Sequence, residues 1–554
     1  MAISVAPDEK PHHNHIMKPE AAPKGAAFWL VIALLCLIAL TASLDGSIIA
    51  IALPHISSTL RIGDKYVEVA NCFVFAQTVV QPGVAQLCDI FGRRWPMIVS
   101  VAVFALGSGI AGGANDTATM IAGRTVQGLG SGGIMLLVEL IVCDMVPLRE
   151  RGKYLGIVLS TAALGSILGP VVGGAIAERA WRWCFFLNLP ICGLVLPVMF
   201  FLLRIKHIPT SLEDLRSKVD WVGNTIFIGS IVSLLIGFTF GRTVHPWSSW
   251  RTIVSIVVGC LGWAGFHVYE HSIKHANPCV PPHLFHNRTS AAAFYMIFVT
   301  SMLLQWVCFF WPIYFMAIRG ASLLQTGVNF MPFMFLLIPG SAVAGIVLSN
   351  TEHYRGLHLL GFVLSTLGPG LNTFLGTHTH AGGWAMLQIV DALGCACILP
   401  TTLPAILASL PERDVAAATG VYSFLRSFGY VWGITIPGII FNNRFAQLAP
   451  GRISDPTARE MLGSGRAYEL ASGPYVQTLE PGVQTEVRGV YLDVLKAVWL
   501  GAMAFGATGL IAVAVETHVP LRTELETEYG LADQKSKDVE EPSKSRSTNG
   551  EGRQ

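Results

Sequence analysis

Five ionisable side chains stand inside apolar stretches of this 554-residue chain: Asp45, Arg124, Glu139, Asp391 and Arg426. Placing one charge in the middle of a membrane helix costs about 2.5–3.5 kcal/mol on insertion scales, so each such residue is a functional candidate by default. Asp45 lies well into the first apolar stretch. Arg124 lies roughly two turns into the fourth, which is entered from the other side, so at ~1.5 Å per residue the two reach similar depth. A carboxylate beside a fixed guanidinium keeps its charge, and protonating it frees the pair. That pairing is either a proton switch or a static ion pair that holds two helices together. Glu139, Asp391 and Arg426 are secondary candidates for coupling or for recognising substrate.

A second cluster closes the next stretch: Asp89-Ile90-Phe91-Gly92-Arg93-Arg94. With Asp144 at the end of the fourth stretch, these charges can latch helices shut at one membrane face. They also set topology. Gly165, Gly169 and Gly173 recur every four residues beside Pro170 and Gly174. Spaced like this, glycines share one helix face and admit a neighbouring helix closely. Pro170 removes a backbone hydrogen bond and is expected to kink the span. Tight packing and a moving hinge both fit. Gly128-Leu-Gly130-Ser-Gly132-Gly133 has the letters of a dinucleotide loop, but no strand precedes it and Arg124 shares its apolar run, so helix packing is the expected role. His12, His13 and His15, and His378 and His380, are expected to be solvated loop residues. No metal site, cofactor or catalytic nucleophile is expected, and no ATPase or metalloprotease motif is present to drive chemistry.

Only 13% of the residues are charged and 52% are hydrophobic, against roughly 25% charged in a soluble domain. The balance fits a lipid bilayer. Net charge is +2, with no basic stripe for nucleic acid. The eleven cysteines fall mostly in apolar runs, which argues against a disulfide scaffold.

An all-α polytopic membrane protein with fourteen spans is the expected fold. The spans fall near 27–49, 67–88, 95–114, 118–143, 152–177, 183–203, 220–241, 252–272, 291–314, 325–348, 357–376, 383–408, 417–440 and 491–515. Runs of this length suit membrane helices and are about twice a membrane strand. Arg93, Arg94, Arg149, Arg151, Lys153, Arg204, Lys206, Arg216, Lys218, Lys274 and Arg288 fall in one set of loops. The positive-inside rule puts that set in the cytoplasm, and both termini with it. Residues 441–490 read as a long outer loop, with helical pieces around 456–470. Residues 1–26 and 516–554 are polar and expected to be disordered.

These motifs resemble the Major Facilitator Superfamily, specifically its fourteen-span drug:proton antiporters of the fungal multidrug and toxin efflux type. The resemblance covers most of residues 27–515. It rests on Leu44-Asp45 through Leu53-Pro54, the loop Asp89–Arg94, Gly123-Arg124 with Gln127-Gly128, the Gly165–Gly174 stretch, Trp181-Arg182-Trp183 with Asn188-x-Pro190, and Asp220-Trp221-x-Gly223. Ala85 and Ser47 depart from the family pattern, where glycine and threonine are usual.

The resemblance implies two six-helix halves, at 27–204 and 290–515, with an extra pair at 219–273 between them. It implies alternating access and export of a small organic molecule, driven by protons entering from outside. Asp45 would carry the proton and Arg124 would tune it. Asp89, Gly92, Arg93, Arg94 and Asp144 would serve the cytoplasmic gate, and Gly165 to Gly174 the antiporter motif. Aromatic and Met side chains of the second half, such as Trp306, Trp311, Phe330 and Met331, either line the pocket or pack its core. The expected partners are substrate, protons and lipid; the expected state is a monomer in the plasma membrane. A siderophore or vacuolar basic amino-acid carrier, or a membrane sensor that kept the fold, are the competing readings.

Overall fold

The computed structural model describes residues 25–60, 66–203, 219–241, 247–272, 278–463, 467, 470 and 475–522. His12, His13 and His15, the segment 1–24 and the tail from 523 lie outside the described residues.

The chain is all-α. The helices of the first part are α1 (Ala26–Leu60), α2 (Tyr66–Phe91), α3 (Arg94–Gly112), α4 (Thr117–Met145), α5 (Leu148–Ala180), α6 (Trp183–Phe186) and α7 (Asn188–Leu202). A pair follows, α8 (Trp221–Phe240) and α9 (Trp250–Ser272). The last part holds α10 (Arg288–Ile313), a π-helical turn Tyr314–Ile318, α11 (Leu323–Asn329), α12 (Met331–Thr351), α13 (Tyr354–Asn372), α14 (Ala381–Ala408), α15 (Val415–Arg452), α16 (Pro456–Gly463), α17 (Tyr475–Thr478) and α18 (Pro481–Val515).

Among the described residues, eleven helical stretches are long and apolar enough to cross a membrane. The long helices outside that set are α2, α5 and α13. Each carries polar residues: Glu68, Gln77, Gln81, Gln86 and Asp89 on α2, Arg149 to Lys153 on α5, and Arg355 and His358 on α13. Large apolar side chains stand exposed on the outside of the bundle, among them Leu106, Leu194, Phe201, Leu261 and Ile511. A soluble monomer keeps such surface covered; here lipid covers it.

Where helices begin and end follows local chemistry. Asp116 caps α4, accepting from the Thr119 amide at 2.8 Å. That bond holds the Asp116 carboxyl below its ordinary range, as hydrogen bonding to a charged form does. Arg182 donates to the carbonyls of Gly112 at 2.9 Å and Ala114 at 2.8 Å, satisfying groups that the end of α3 leaves free. Both helices around 441–490 run past their expected ends, α15 to Arg452 and α18 from Pro481. No helix breaker interrupts Phe441–Ala449, and Pro481 is pre-set for a first helical turn.

α1 packs along α5, and α4 lies against both α2 and α3. In the last part α13 packs on α14 and α18, and α10 on α15. The two groups meet where α2 lies on α15 and α5 on α12. The α8–α9 pair sits beside the α2–α15 contact. Asn224 Nδ2 on α8 donates to Gln86 Oε1 on α2 at 2.7 Å. Against α15 the same helix offers rings, Phe227 to Phe424 at 4.9 Å and Phe238 to Trp432 at 4.8 Å between centroids.

Glycine sets how closely α1 and α5 approach. A Cβ on Gly165 would overlap the Leu40 carbonyl oxygen, and one on Gly169 the Ser47 hydroxyl. On Gly173 a Cβ would stand 3.1 Å from the Ile48 carbonyl oxygen. α5 runs as one helix through Pro170 and Gly174; the side-chain surroundings of those two residues are outside the described set. Gly169→Val is expected to destabilise the folded protein by about 1–3 kcal/mol, the usual cost of overpacking. Thermal unfolding in detergent would read it, and an unchanged midpoint would count against this close approach. The run Gly128–Gly133 is packing as expected: Gly128 and Gly132 abut the backbone of α2 at Phe73 and Gln77, and Gly130 that of α3 at Phe104.

Candidate functional site

Asp45 and Arg124 meet. Asp45 Oδ2 lies 2.7 Å from Arg124 Nη1, and both side chains are buried. The other carboxylate oxygen accepts from Gln127 Nε2 at 2.8 Å and Asn188 Nδ2 at 2.7 Å. Gln127 Oε1 accepts from Arg124 at 2.8 Å, and Ser108 Oγ takes Gln127 Nε2 at 2.7 Å. The Arg124 guanidinium also lies 4.3 Å from the Phe73 ring centroid. Three further side chains, from α3, α4 and α7, thus converge on one buried charge pair between α1 and α4. Removing the charge from Asp45 would weaken three donor contacts together and leave Arg124 without its counter-ion.

Gln127 and Asn188 stand in the motifs quoted above, yet their types alone assigned them no role. Ser108 carries no sequence signal: a serine in an apolar helix more often bonds its own turn, as this one also does with Phe104 O at 2.9 Å.

Asp89, Gly92, Arg93 and Asp144 come together where α2, α3 and the end of α4 meet, and Arg94 does not join them. Arg93 bonds Asp144 at 2.8 Å, the Cys88 carbonyl at 2.7 Å and Asp89 at 3.2 Å. Burial works against the Arg93 charge, but Asp144 and Asp89 outweigh it and hold the guanidinium above its ordinary range. Gly92 makes the turn at φ 72°, a left-handed conformation that glycine adopts without a Cβ clash. Arg94 turns away from the cluster, packing over the Phe200 ring at 4.5 Å.

The same end of the bundle, called the basic end below, is sealed by residues the motifs did not single out as a gate. Arg149 on α5 bonds Glu352 at 2.9 Å and the Ser349 carbonyl at 2.7 Å. Arg151 faces Glu412 at 3.3 Å. Deeper in, Glu139 on α4 pairs with Arg426 on α15 and accepts from Ser423 Oγ at 2.6 Å. Gln81 Nε2 reaches Ser427 Oγ at 3.1 Å. Each contact joins the first group of helices to the last. Beyond α18 the chain stays on this end: Thr517 bonds Thr289, Val519 N bonds Tyr354 Oη, and Arg522 bonds the carbonyl of Leu410 and accepts from the Arg149 amide.

Asp391 belongs to neither cluster. It lies on α14, where Trp311 Nε1 donates to it at 3.0 Å and Asn372 Nδ2 at 2.9 Å. Trp306 and Trp311 are fully buried and Phe330 is buried, whereas Met331 is exposed, so the two tryptophans pack the core. His380 caps α14 by accepting from the Gly382 amide. Among the described residues, no group of His, Cys, Asp and Glu is arranged to hold a metal ion.

A buried acid–arginine pair between the first and fourth long helices, with a glycine-faced fifth, is the geometry the motifs implied. The family model for the Major Facilitator Superfamily matches residues 35–434. The chain belongs to the Major Facilitator Superfamily. Several fungal members of that superfamily are similar over nearly their whole length. "MFS efflux transporter aclA" of Aspergillus oryzae is 46% identical over 510 residues, covering 92% of each chain. "Efflux pump FUS6" of Gibberella moniliformis is 41% identical, covering 94% of this chain and 92% of that one. "MFS-type efflux pump LUC4" of a Fusarium species is 42% identical over 93% and 92%. Among solved structures of the superfamily, the human organic anion transporter MFSD10 superposes with a TM-score of 0.55 at 14% identity, over 87% of this chain and 98% of that one. The proton:xylose symporter XylE gives 0.55 and 14%, over 90% and 98%. At that identity the likeness is one of fold.

Proposed function

We propose that this protein is a proton-coupled antiporter that exports small organic molecules, fungal secondary metabolites or toxins and drugs among them, by alternating access. The observation that carries the proton part is the Asp45–Arg124 pair, buried and enclosed by Gln127, Asn188 and Ser108. An acid in that position can change its partners by gaining a proton, and a rigid packing pair needs no such convergence. The export direction is supported by relatives whose names call them efflux pumps.

In this reading the long helices make fourteen spans. Two six-helix halves are α1–α7 and α10–α18, and α8–α9 is the extra pair. The basic end faces the cytoplasm, with both termini, and the membrane is the plasma membrane. Sealed there by Arg149, Arg151, Glu139 and their partners, the protein is closed toward the cytoplasm in this conformation. Asp45 carries the proton and Arg124 tunes it. Asp89, Gly92, Arg93 and Asp144 serve the cytoplasmic gate, and Gly165, Gly169 and Gly173 let α1 ride on α5. Protonation of Asp45 from outside would free Arg124, and loss of that proton to the cytoplasm would reset it.

The test is export from yeast cells stripped of their own pumps, with a panel of dyes, azoles and mycotoxins. Cells expressing the protein should accumulate less of at least one compound, and a protonophore should abolish the difference. A difference that survives the protonophore would remove the proton from the reading. No difference for any compound, with the protein at the cell surface, would favour a narrow-substrate exporter or the sensor alternative.

A further inference from the structure

The second group of helices holds a carboxyl that the coupling scheme above does not use. Asp391 is buried, and both of its donors are neutral: the Trp311 indole and the Asn372 amide, each on the same oxygen, Oδ2. The other oxygen, Oδ1, has no partner, and neither has Asn372 Oδ1. Oδ1 points at Gly368, where even a Cβ would overlap it. The wall behind Trp311 is aromatic, with Phe315 stacked at 5.7 Å and Trp499 at 6.0 Å.

Among the described residues, this carboxyl's hydrogen-bond partners are Trp311 and Asn372, and no ion pair reaches it. The titratable group nearest to it is the thiol of Cys395 on its own helix, and Cys308 on α10 and Tyr430 on α15 lie near that thiol. Several charged groups on the helices around it are engaged elsewhere. Arg426 on α15 pairs with Glu139, His358 on α13 with Glu516, and Arg149 and Arg151 on α5 with Glu352 and Glu412. Arg319, past α10, binds the carbonyl of Thr377. An ionised carboxylate in an apolar interior without a counter-charge is far more costly than a neutral acid. Asp45 meets the same burial with Arg124 beside it; Asp391 does not. A proton on Oδ1 also turns that orphan oxygen from an unsatisfied acceptor into a donor.

We propose that Asp391 is a second proton-binding site, independent of Asp45, and that it holds its proton at neutral pH in this conformation. The two acids then divide the work by environment, one charged against an arginine and one neutral among indole and amide. In the halves proposed above, the fourth long helix of the first contributes the cation Arg124, and the fourth of the second contributes the acid Asp391.

The proposal rests on the proton-driven reading for its role in transport, but its test does not. The full chain in lipid nanodiscs would be examined by infrared spectroscopy at neutral pH, in water and in heavy water. The spectrum of wild type minus Asp391→Asn should contain a protonated-carboxyl band that shifts in heavy water, and no matching carboxylate bands. The same difference taken in an Asp45→Asn background should retain it. Carboxylate bands in place of the acid band would overturn the proposal. Asn keeps an acceptor for Trp311 and Asn372 and supplies the donor, so Asp391→Asn should unfold at the wild-type temperature. Were it not to fold, Asp391→Glu serves: a displaced acid band supports the site, and an unmoved one overturns it. A wild type that exports nothing yet shows the band would remove the exporter reading and leave this site standing.

Discussion

Asp45→Asn is expected to export nothing above background and to unfold more readily than the wild type. The isosteric amide keeps the size of the side chain and removes its charge. Arg124 would then retain the Gln127 oxygen at 2.8 Å and the Phe73 ring as its neighbours, with no counter-ion in a fully buried position. Breaking a buried pair by removing one partner costs about 3–5 kcal/mol, whereas replacing both partners is often close to neutral. The double variant Asp45→Asn with Arg124→Gln should therefore recover most of the thermal stability while remaining unable to export. That split separates a coupling role from a packing role. Wild-type export by Asp45→Asn would end Asp45's claim to the proton and shift it to Asp391 or Glu139.

Arg426→Met should produce a loss of similar size for a different reason. It strands Glu139, which would keep only Ser423 Oγ at 2.6 Å as a donor. A buried carboxylate left in that state costs about 3–5 kcal/mol, and Glu139→Gln added to Arg426→Met should restore the midpoint measured in detergent. The pair also joins α4 to α15, across the proposed halves. Separating the halves at the basic end has to break it, so the stable double variant should open that end more often. Faster alkylation of a cysteine placed at Ser349, which gives Arg149 only its backbone carbonyl, would show this, and an unchanged rate would mean that Arg149 and Arg151 hold the end closed without it.

Much of this was legible in the residues. A membrane helix must be apolar over a long run, so its charges stand out, and Asp45, Arg124, Glu139, Asp391 and Arg426 could all be picked by type alone. The loop cluster was legible because Gly92 marks a turn and Asp89 and Arg93 flank it. Asp144, at the end of α4, joins them through Arg93. Arg94 does not, because the turn directs successive side chains to different sides and leaves Arg94 over Phe200. The expected count of fourteen spans is not reached by length and apolarity among the described residues, which give eleven. Helices packed among other helices carry polar residues that lower their apolar signal, as α2 and α13 do. What stayed hidden was pairing between distant elements. Arg149 and Arg151 read as topology charges, and nothing near them in sequence announces Glu352 or Glu412. Ser108 was invisible because its role depends on where α3 brings it.

The helix pair α8–α9 is fastened to its two neighbours by different chemistry. To α2 it is joined by the hydrogen bond from the Asn224 amide to Gln86, which has a preferred length and direction. To α15 it presents aromatic faces at Phe227 and Phe238, and ring contacts tolerate many offsets at nearly equal energy. A displacement of α15 past α2 would therefore leave the pair riding with α2 as a passenger. Its rings would serve as a greased bearing for α15, adding bulk to the molecule without adding friction to its movement.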